Sequence, residues 1–324
     1  MAACNLISSY TLLEIVMFIG ASLACFGGLT LEQSMKLYSQ LTSDLNLNAV
    51  EIRLEKELKR PSLWHWEINA KVAEFLSNYE ISGAHLPFVN LNPISPNPQI
   101  RDVSMSQIKD CIRIAADLGM SYTVMHARGF FQGLTEEQFT DEWIKILKEL
   151  AEYAQDSSII LTLENADYFW NLEEITNIIK IVDSNWLRMT LDIGHAHIRN
   201  VGPLLSFPIK DLGLRVLDIF LPFVLYTNMP YEKFRSMREF IRKENELILV
   251  AHIHDYNGRK DHLRIGEGKI NFSFLSELNK NSKCIFIFES NNMSNFNIFA
   301  KNYRLFTKLI KKSPYYLQDS CCVD

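Results

Sequence analysis

The sequence predicts an α/β fold, a single (β/α)8 TIM barrel. Three observations predict it. Short apolar runs alternate with amphipathic segments along all 324 residues. Eight such runs are separated by helix-length intervals, and consecutive parallel strands need a crossover each time. Several runs also close on an acidic residue or a histidine, and in such a barrel the C-terminal strand ends share the one rim that carries active sites.

In chain order, strand one is placed at Leu13–Ile19, with GASLACFGG as the loop after it. Thr11–Phe26 is apolar enough to mimic a signal peptide, but Glu14 interrupts it, no Lys or Arg precedes it, and it is too short to span a bilayer. Leu31–Leu41 has helical spacing, and Ala49–Leu54 is strand two. Trp64–Leu76 is helical and Ile81–His85 is strand three. The Pro-rich HLPFVNLNPISPNP that follows reads as irregular. A helix over Ser104–Leu118, with Ser104 as its N-cap, leads to strand four at Tyr122–His126. Thr135 opens a helix to about Tyr153, with Gln138 placed to complete a capping box. Ile159–Glu164, Leu187–Asp192, Leu247–His252 and Cys284–Glu289 are strands five to eight, with helices at Leu172–Val182 and Phe296–Ile310. The barrel is expected to occupy residues 1–312 and a tail residues 313–324. An insertion at about 198–246 lies between strands six and seven. Its apolar stretch 212–226 reads as extra packing against the barrel wall, or as a lid or subunit contact.

Composition sets the class. Hydrophobic residues make up 48% and charged ones 22%, which is a folded globular protein. A net charge of −5 gives no general attraction to nucleic acid. The cysteines, Cys4, Cys25, Cys111, Cys284, Cys321 and Cys322, have no CxxC spacing and read as reduced thiols of a cytoplasmic protein.

The chemistry lies where the runs end. His85, His126, Glu164, Asp192, His252 and Glu289 close strands three to eight. Any one of them reads as a polar strand cap. The recurrence points to a metal site, because burying a charged group is costly unless something compensates it. The nitrogen and oxygen donors suit Zn, Mn, Co, Mg or Fe(II), and no thiolate is placed to join them. LENAD (163–167), LDIGHAH (191–197), HIHDYNG (252–258), DHLRIGEG (261–268) and FES (288–290) add His195, His197, His254, Asp255, Asp261 and His262.

In these motifs and their order the chain resembles the xylose isomerase-like barrel superfamily, which includes sugar isomerases, sugar 3-epimerases and endonuclease IV. The resemblance covers nearly the whole chain. It implies, from the isomerase and epimerase branches, one divalent metal on Glu164, Asp192, His252 and Glu289. The two glutamates would be acid and base on opposite faces of a sugar. His195 and His262 could bind substrate oxygens or further metal, and His197 and His254 would support. The endonuclease IV branch implies three zincs: one on His85, His126 and Glu164, one on the quartet, and one on a His–Asp–His set. For the last, His195 and His262 match, but Lys260 stands where the aspartate is expected and Asp261 is adjacent, off register. Arg53, Arg128, Arg259, Lys260 and Arg264 could bind a phosphate, Arg128 and Arg264 being the principal candidates.

The expected function is a divalent-metal-dependent isomerase or epimerase of a sugar, sugar phosphate or related polyol, working by proton transfer next to a carbonyl. It would have small-molecule partners, no nucleic acid and no membrane, and could form a homo-oligomer. A zinc-dependent phosphodiester hydrolase acting on abasic DNA, and a barrel binding metal or metabolite without turnover, are the alternatives.

Overall fold

The computed structural model describes residues 17–54, 66–127, 135–166, 171–199, 236–278 and 284–311. Its strands are β1 Phe18–Ser22, β2 Ala49–Arg53, β3 Ile81–His85, β4 Tyr122–His126, β5 Ile160–Glu164, β6 Leu187–Asp192, β7 Ile248–Ile253 and β8 Ile285–Phe288. They form a closed barrel in sequence order. Every neighbouring pair is parallel, and β8 closes on β1 through Gly20↔Ile287 and Ala21↔Phe288.

The expected first strand ends too early. The strand is Phe18–Ser22, so Gly20, Ala21 and Ser22 belong to it rather than to a loop. Small residues are required there by the neighbour: a Cβ on Gly20 would lie 1.9 Å from the Ala49 carbonyl oxygen. Leu23–Phe26 then forms a 3-10 turn. Residues 13–16 lie outside the described residues, as do the apolar stretch 212–226, the tail 313–324, and Cys4, Cys321 and Cys322.

The helices follow local rules. α1 (Leu31–Leu45) is capped by a box of Thr30 and Gln33. It packs Tyr38 so that its hydroxyl accepts from the Ala21 N–H at 3.0 Å and donates to the Ala49 carbonyl, joining β1 to β2. α2 is Trp66–Leu76. α3 corrects the sequence expectation, running Pro98–Asp117 with Asn97 as its N-cap. Proline at the first helical position costs no hydrogen bond, since that N–H is unpaired in any helix. Ser104 sits inside α3 instead, donating to Ile100 O at 2.7 Å and accepting from Asn92 N at 2.9 Å, which ties down the loop after β3. The Thr135–Gln138 capping box is present and opens α4, Glu136–Asp156. α5 is Leu172–Val182, α6 Ile193–Arg199, α7 Met237–Glu244, α8 Leu275–Leu278 and α9 Phe296–Lys311. Among the described residues no helix is long and apolar enough to cross a membrane, and Cys25, Cys111 and Cys284 are buried and form no disulfide.

Alternation along each strand puts two sets of residues on the same interior face. Ala49, Tyr122, Val124, Val250, Ile285 and Ile287 form a buried apolar cluster of their own. Continuing two residues at a time, the same faces carry Glu51, His126, His252 and Glu289 towards the C-terminal rim. The apolar filling is thus the floor on which the polar residues stand.

Candidate metal centre

The rim brings together all six strand-end residues expected from the sequence. Ligand-type atoms of Glu164, Asp192, His252 and Glu289 lie within 4.8 Å of one another, and so do those of His85, His126 and Glu164. Ladder register contributes to both convergences, because Asp192 pairs with His252 in the first and His126 with Glu164 in the second. The six are buried or nearly so. A cavity of about 380 Å³ opens above them, lined by Arg53, Phe88, His195, Ile198, Asp261, His262 and Asn291 among others.

Hydrogen bonds fix which imidazole nitrogens face the centre. His85 Nδ1 is 3.0 Å from the Leu86 carbonyl, so it donates there and its Nε2 lone pair points to His126 Nε2 at 3.0 Å and Glu164 Oε2 at 3.5 Å. His252 presents Nδ1, which lies 3.3 Å from Glu289 Oε2 and 3.5 Å from Glu164 Oε2. Phe88 stacks on the His126 ring at 4.3 Å.

His254 and Gly194 explain one another. The His262 N–H donates to His254 Nδ1 at 2.9 Å, and His254 Nε2 donates to Asp192 at 2.9 Å. Both nitrogens are therefore committed, and His254 orients Asp192 rather than offering a free lone pair. A Cβ on Gly194 would sit 1.9 Å from the His254 ring, so only glycine leaves it room. His195 N–H donates to Asp192 Oδ1 at 2.7 Å at the start of α6, which aims its ring at Glu164 Oε1, 3.5 Å away. His197 instead donates Nδ1 to Ile193 O at 2.8 Å and stacks on Phe274, away from the centre.

Beyond β7 the loop behaves unlike an extended strand. Asp255 is buried, and its two oxygens accept the N–H groups of Tyr256, Gly266, Gly268 and Ile270 at 2.8–3.1 Å. It organises the loop that carries Asp261 and His262. We expect Asp255→Asn to cost about 2 kcal/mol, because an amide nitrogen replaces Oδ2 and faces two N–H donors. Urea unfolding should show a lower midpoint at unchanged slope; a loss under about 0.5 kcal/mol would remove Asp255 from this role.

The aspartate facing the two histidines is Asp261, not residue 260. Its Oδ2 is 3.6 Å from His195 Nε2 and its Oδ1 3.3 Å from His262 Nδ1. Lys260 is exposed. His262 has φ of 50°, and this left-handed turn breaks alternation so that consecutive residues 261 and 262 both face the cavity. Of the residues expected to meet a phosphate, Arg53 lines the cavity. Arg264 pairs with Glu267 outside the cavity lining, and Arg128 lies outside the described residues. Among the described lining residues the one Lys or Arg is Arg53, 3.8 Å from Glu289 Oε1.

Charge in the centre is concentrated and mutually dependent. Burial raises the Glu164 carboxyl, but His126 and His252 outweigh it and hold the group well below the usual carboxylate range. His195 and His254 lower Asp192 against the same effect of burial, and His252 holds Glu289 well below the usual range. Burial lowers His252, yet Glu289, Glu51 and Glu164 raise it well above the ordinary histidine value. His262 is lowered by burial and raised by Asp261 and Glu289, ending at about 9. His195 Nδ1, His252 Nδ1 and Glu289 Oε1 are buried without a hydrogen bond. Buried nitrogen and carboxylate donors that converge and leave these atoms unbonded fit a divalent cation. Glu164, Asp192, His252 and Glu289 could hold one, and His85 and His126 could extend the site.

Glu51 was not singled out from the sequence. It is fully buried inside the barrel, with Oε2 3.2 Å from both His252 Nε2 and the Tyr122 hydroxyl. The available signal was a glutamate inside the apolar run AVEIR.

Known proteins give the same architecture. MJ1311, an uncharacterized protein of Methanocaldococcus jannaschii, is 28% identical over 229 residues, 64% of this chain and 67% of that protein. The crystal structure of a D-tagatose 3-epimerase-like protein matches with a TM-score of 0.68 and 26% identity, covering 94% of this chain and 99% of that one. The IOLI protein, solved with a binding zinc atom, matches at a TM-score of 0.65 with 14% identity, covering 91% and 99%, a likeness of fold alone. Residues 40–309 match the family described as xylose isomerase-like TIM barrel, and the chain belongs to that family.

Proposed function

We propose that this protein is a divalent-metal-dependent isomerase or epimerase of a sugar, sugar phosphate or related polyol, moving a proton at a carbon next to a carbonyl. The observation that carries this reading is the pair Glu164 and Glu289. Glu164 ends β5 and Glu289 directly follows β8, and both reach the same nitrogen, His252 Nδ1, at 3.5 and 3.3 Å. The similarity to a D-tagatose 3-epimerase-like protein supports the substrate class. The cavity of about 380 Å³ is of a size that takes a small polar molecule.

Glu164, Asp192, His252 and Glu289 would hold the cation. When bound, it would polarise a carbonyl and acidify the neighbouring C–H. One glutamate then removes the α-proton, and the other delivers a proton to the opposite face or to the adjacent carbon, so nothing is oxidised or reduced overall. His195 and His262 present ring N–H groups to substrate oxygens. Phe88 and Ile198 line the cavity with apolar surface that excludes water. An anionic substituent would meet Arg53.

Incubating the metal-loaded protein in D2O with a panel of ketoses and their phosphates tests this directly. At least one should acquire deuterium beside its carbonyl, and chelation should stop the exchange. A second reading, a multinuclear phosphodiester hydrolase, is favoured by the His85–His126–Glu164 group and by Asp261 between His195 and His262. No exchange with any ketose, together with metal-dependent cleavage of abasic DNA, would replace the first reading with the second.

A further inference from the structure

We infer that Glu51 is a positioning residue that commits His252 Nε2 and thereby reserves Nδ1 for the metal. The inference rests on the metal-dependent reading above and adds to it a residue outside the donor set. His252 and Glu51 are both fully buried, so neither can exchange its partner for water. His252 Nε2 lies 3.2 Å from Glu51 Oε2, and a carboxylate oxygen can only accept, so the proton is on Nε2. That leaves Nδ1 as the nitrogen facing Glu164 and Glu289, and it makes no hydrogen bond.

Glu51 is itself held. The Tyr122 hydroxyl donates to the same Oε2 at 3.2 Å. Tyr122 can occupy that position because Gly83, its ladder partner, has no Cβ: one built there would meet the ring at 2.1 Å. Glu51 Oε1 is buried and accepts no hydrogen bond. A half-satisfied carboxylate inside a barrel is a poor element of stability, since two donors on one oxygen leave the other buried without a partner. The geometry accounts for it as the outer partner of an imidazole ligand. Such partners fix the ring and its tautomer, and their loss typically lowers metal affinity 10–100-fold. His85 is arranged in the opposite sense, its Nδ1 on the Leu86 carbonyl and its Nε2 facing inward. Two histidines of one rim thus present different nitrogens, each set by what holds the other.

The experiment is zinc titration of the full-length protein with a competing chelator, with 15N NMR of selectively histidine-labelled wild type. Wild type should bind zinc through His252 Nδ1 and keep its Nε2 protonated. Glu51→Gln, whose amide can present a donor to Nε2, should retain the fold by circular dichroism but bind zinc 10–100-fold more weakly. Zinc on Nε2 of His252 in wild type overturns the inference whether or not the variant folds. So does a folded Glu51→Gln with wild-type affinity. If wild type takes up no zinc, the proposed metal-dependent function fails and this inference with it; the other two outcomes overturn this inference alone.

Discussion

Glu164→Gln should abolish exchange of the α-proton from the epimer that Glu164 deprotonates, while leaving the barrel folded. Glu164 accepts contacts from three sides: His85 and His126 reach Oε2 at 3.5 and 3.2 Å, and His195 reaches Oε1 at 3.5 Å. An amide of the same shape preserves the packing but loses the charge and the basic oxygen. One positioned acid–base group is worth about 10²–10⁴ in rate, so exchange should fall by at least that factor. Glu289→Gln should fall comparably, since Glu289 Oε1 is buried without a hydrogen bond and contributes little to the fold that an amide cannot replace. The two need not be equivalent: in a two-base reaction, either variant could still exchange the proton from one epimer while failing to interconvert the pair. The measurement is deuterium incorporation by mass spectrometry, run on both epimers, with bound metal quantified alongside. Exchange at the wild-type rate with full metal occupancy would reduce that glutamate to a ligand, and a hydride shift would then be the better mechanism.

What the sequence made legible, and what it did not, divides along a physical line. Strand ends were legible. An apolar run that stops on a carboxylate or imidazole marks both the strand's end and the rim, because parallel strands of a barrel all point one way. That is why His85, His126, Glu164, Asp192, His252 and Glu289 could be named together, and why they converge. Helix starts with local capping chemistry were legible too, as at Thr135 and Gln138.

Features that depend on a distant partner were hidden. Gly20, Gly83 and Gly194 look like turn formers, yet each makes room for something remote in sequence: the Ala49 carbonyl, the Tyr122 ring and the His254 ring. Glu51 reads as the polar position of an alternating strand, and only barrel closure places it inside, against a histidine 201 residues away. Strict alternation also failed where a strand ended. β7 stops at Ile253, and the bridge between Asp255 and Leu263 folds the chain back, bringing the His262 N–H onto His254 Nδ1. Register counting missed Asp261 for the same reason, because it assumed an extended backbone at His262.

Removing the metal should cost stability as well as activity. The quartet places three carboxylates in one buried cluster, with ligand atoms within 4.8 Å. Without a cation, protonated histidines and Arg53 are left to offset that charge, and buried Nδ1 atoms of His195 and His252 remain without hydrogen bonds. Such a site exists only in the folded chain, so binding energy becomes folding energy. At free zinc about 1,000 times its dissociation constant, the folded state should gain about 4 kcal/mol. For a chain of this size that is a rise of roughly 6 °C in melting temperature over the chelated protein. Glu289→Gln should shrink the rise, since its carboxylate is one of the four donors, whereas Glu267→Gln, a carboxylate paired with Arg264 outside the cavity, should leave it intact. Each shift is read within one variant, zinc against chelator, so any change in metal-free stability cancels. A zinc-induced rise in Glu289→Gln as large as in wild type would remove Glu289 from the metal's ligands, and with it the reason for a glutamate at the end of β8.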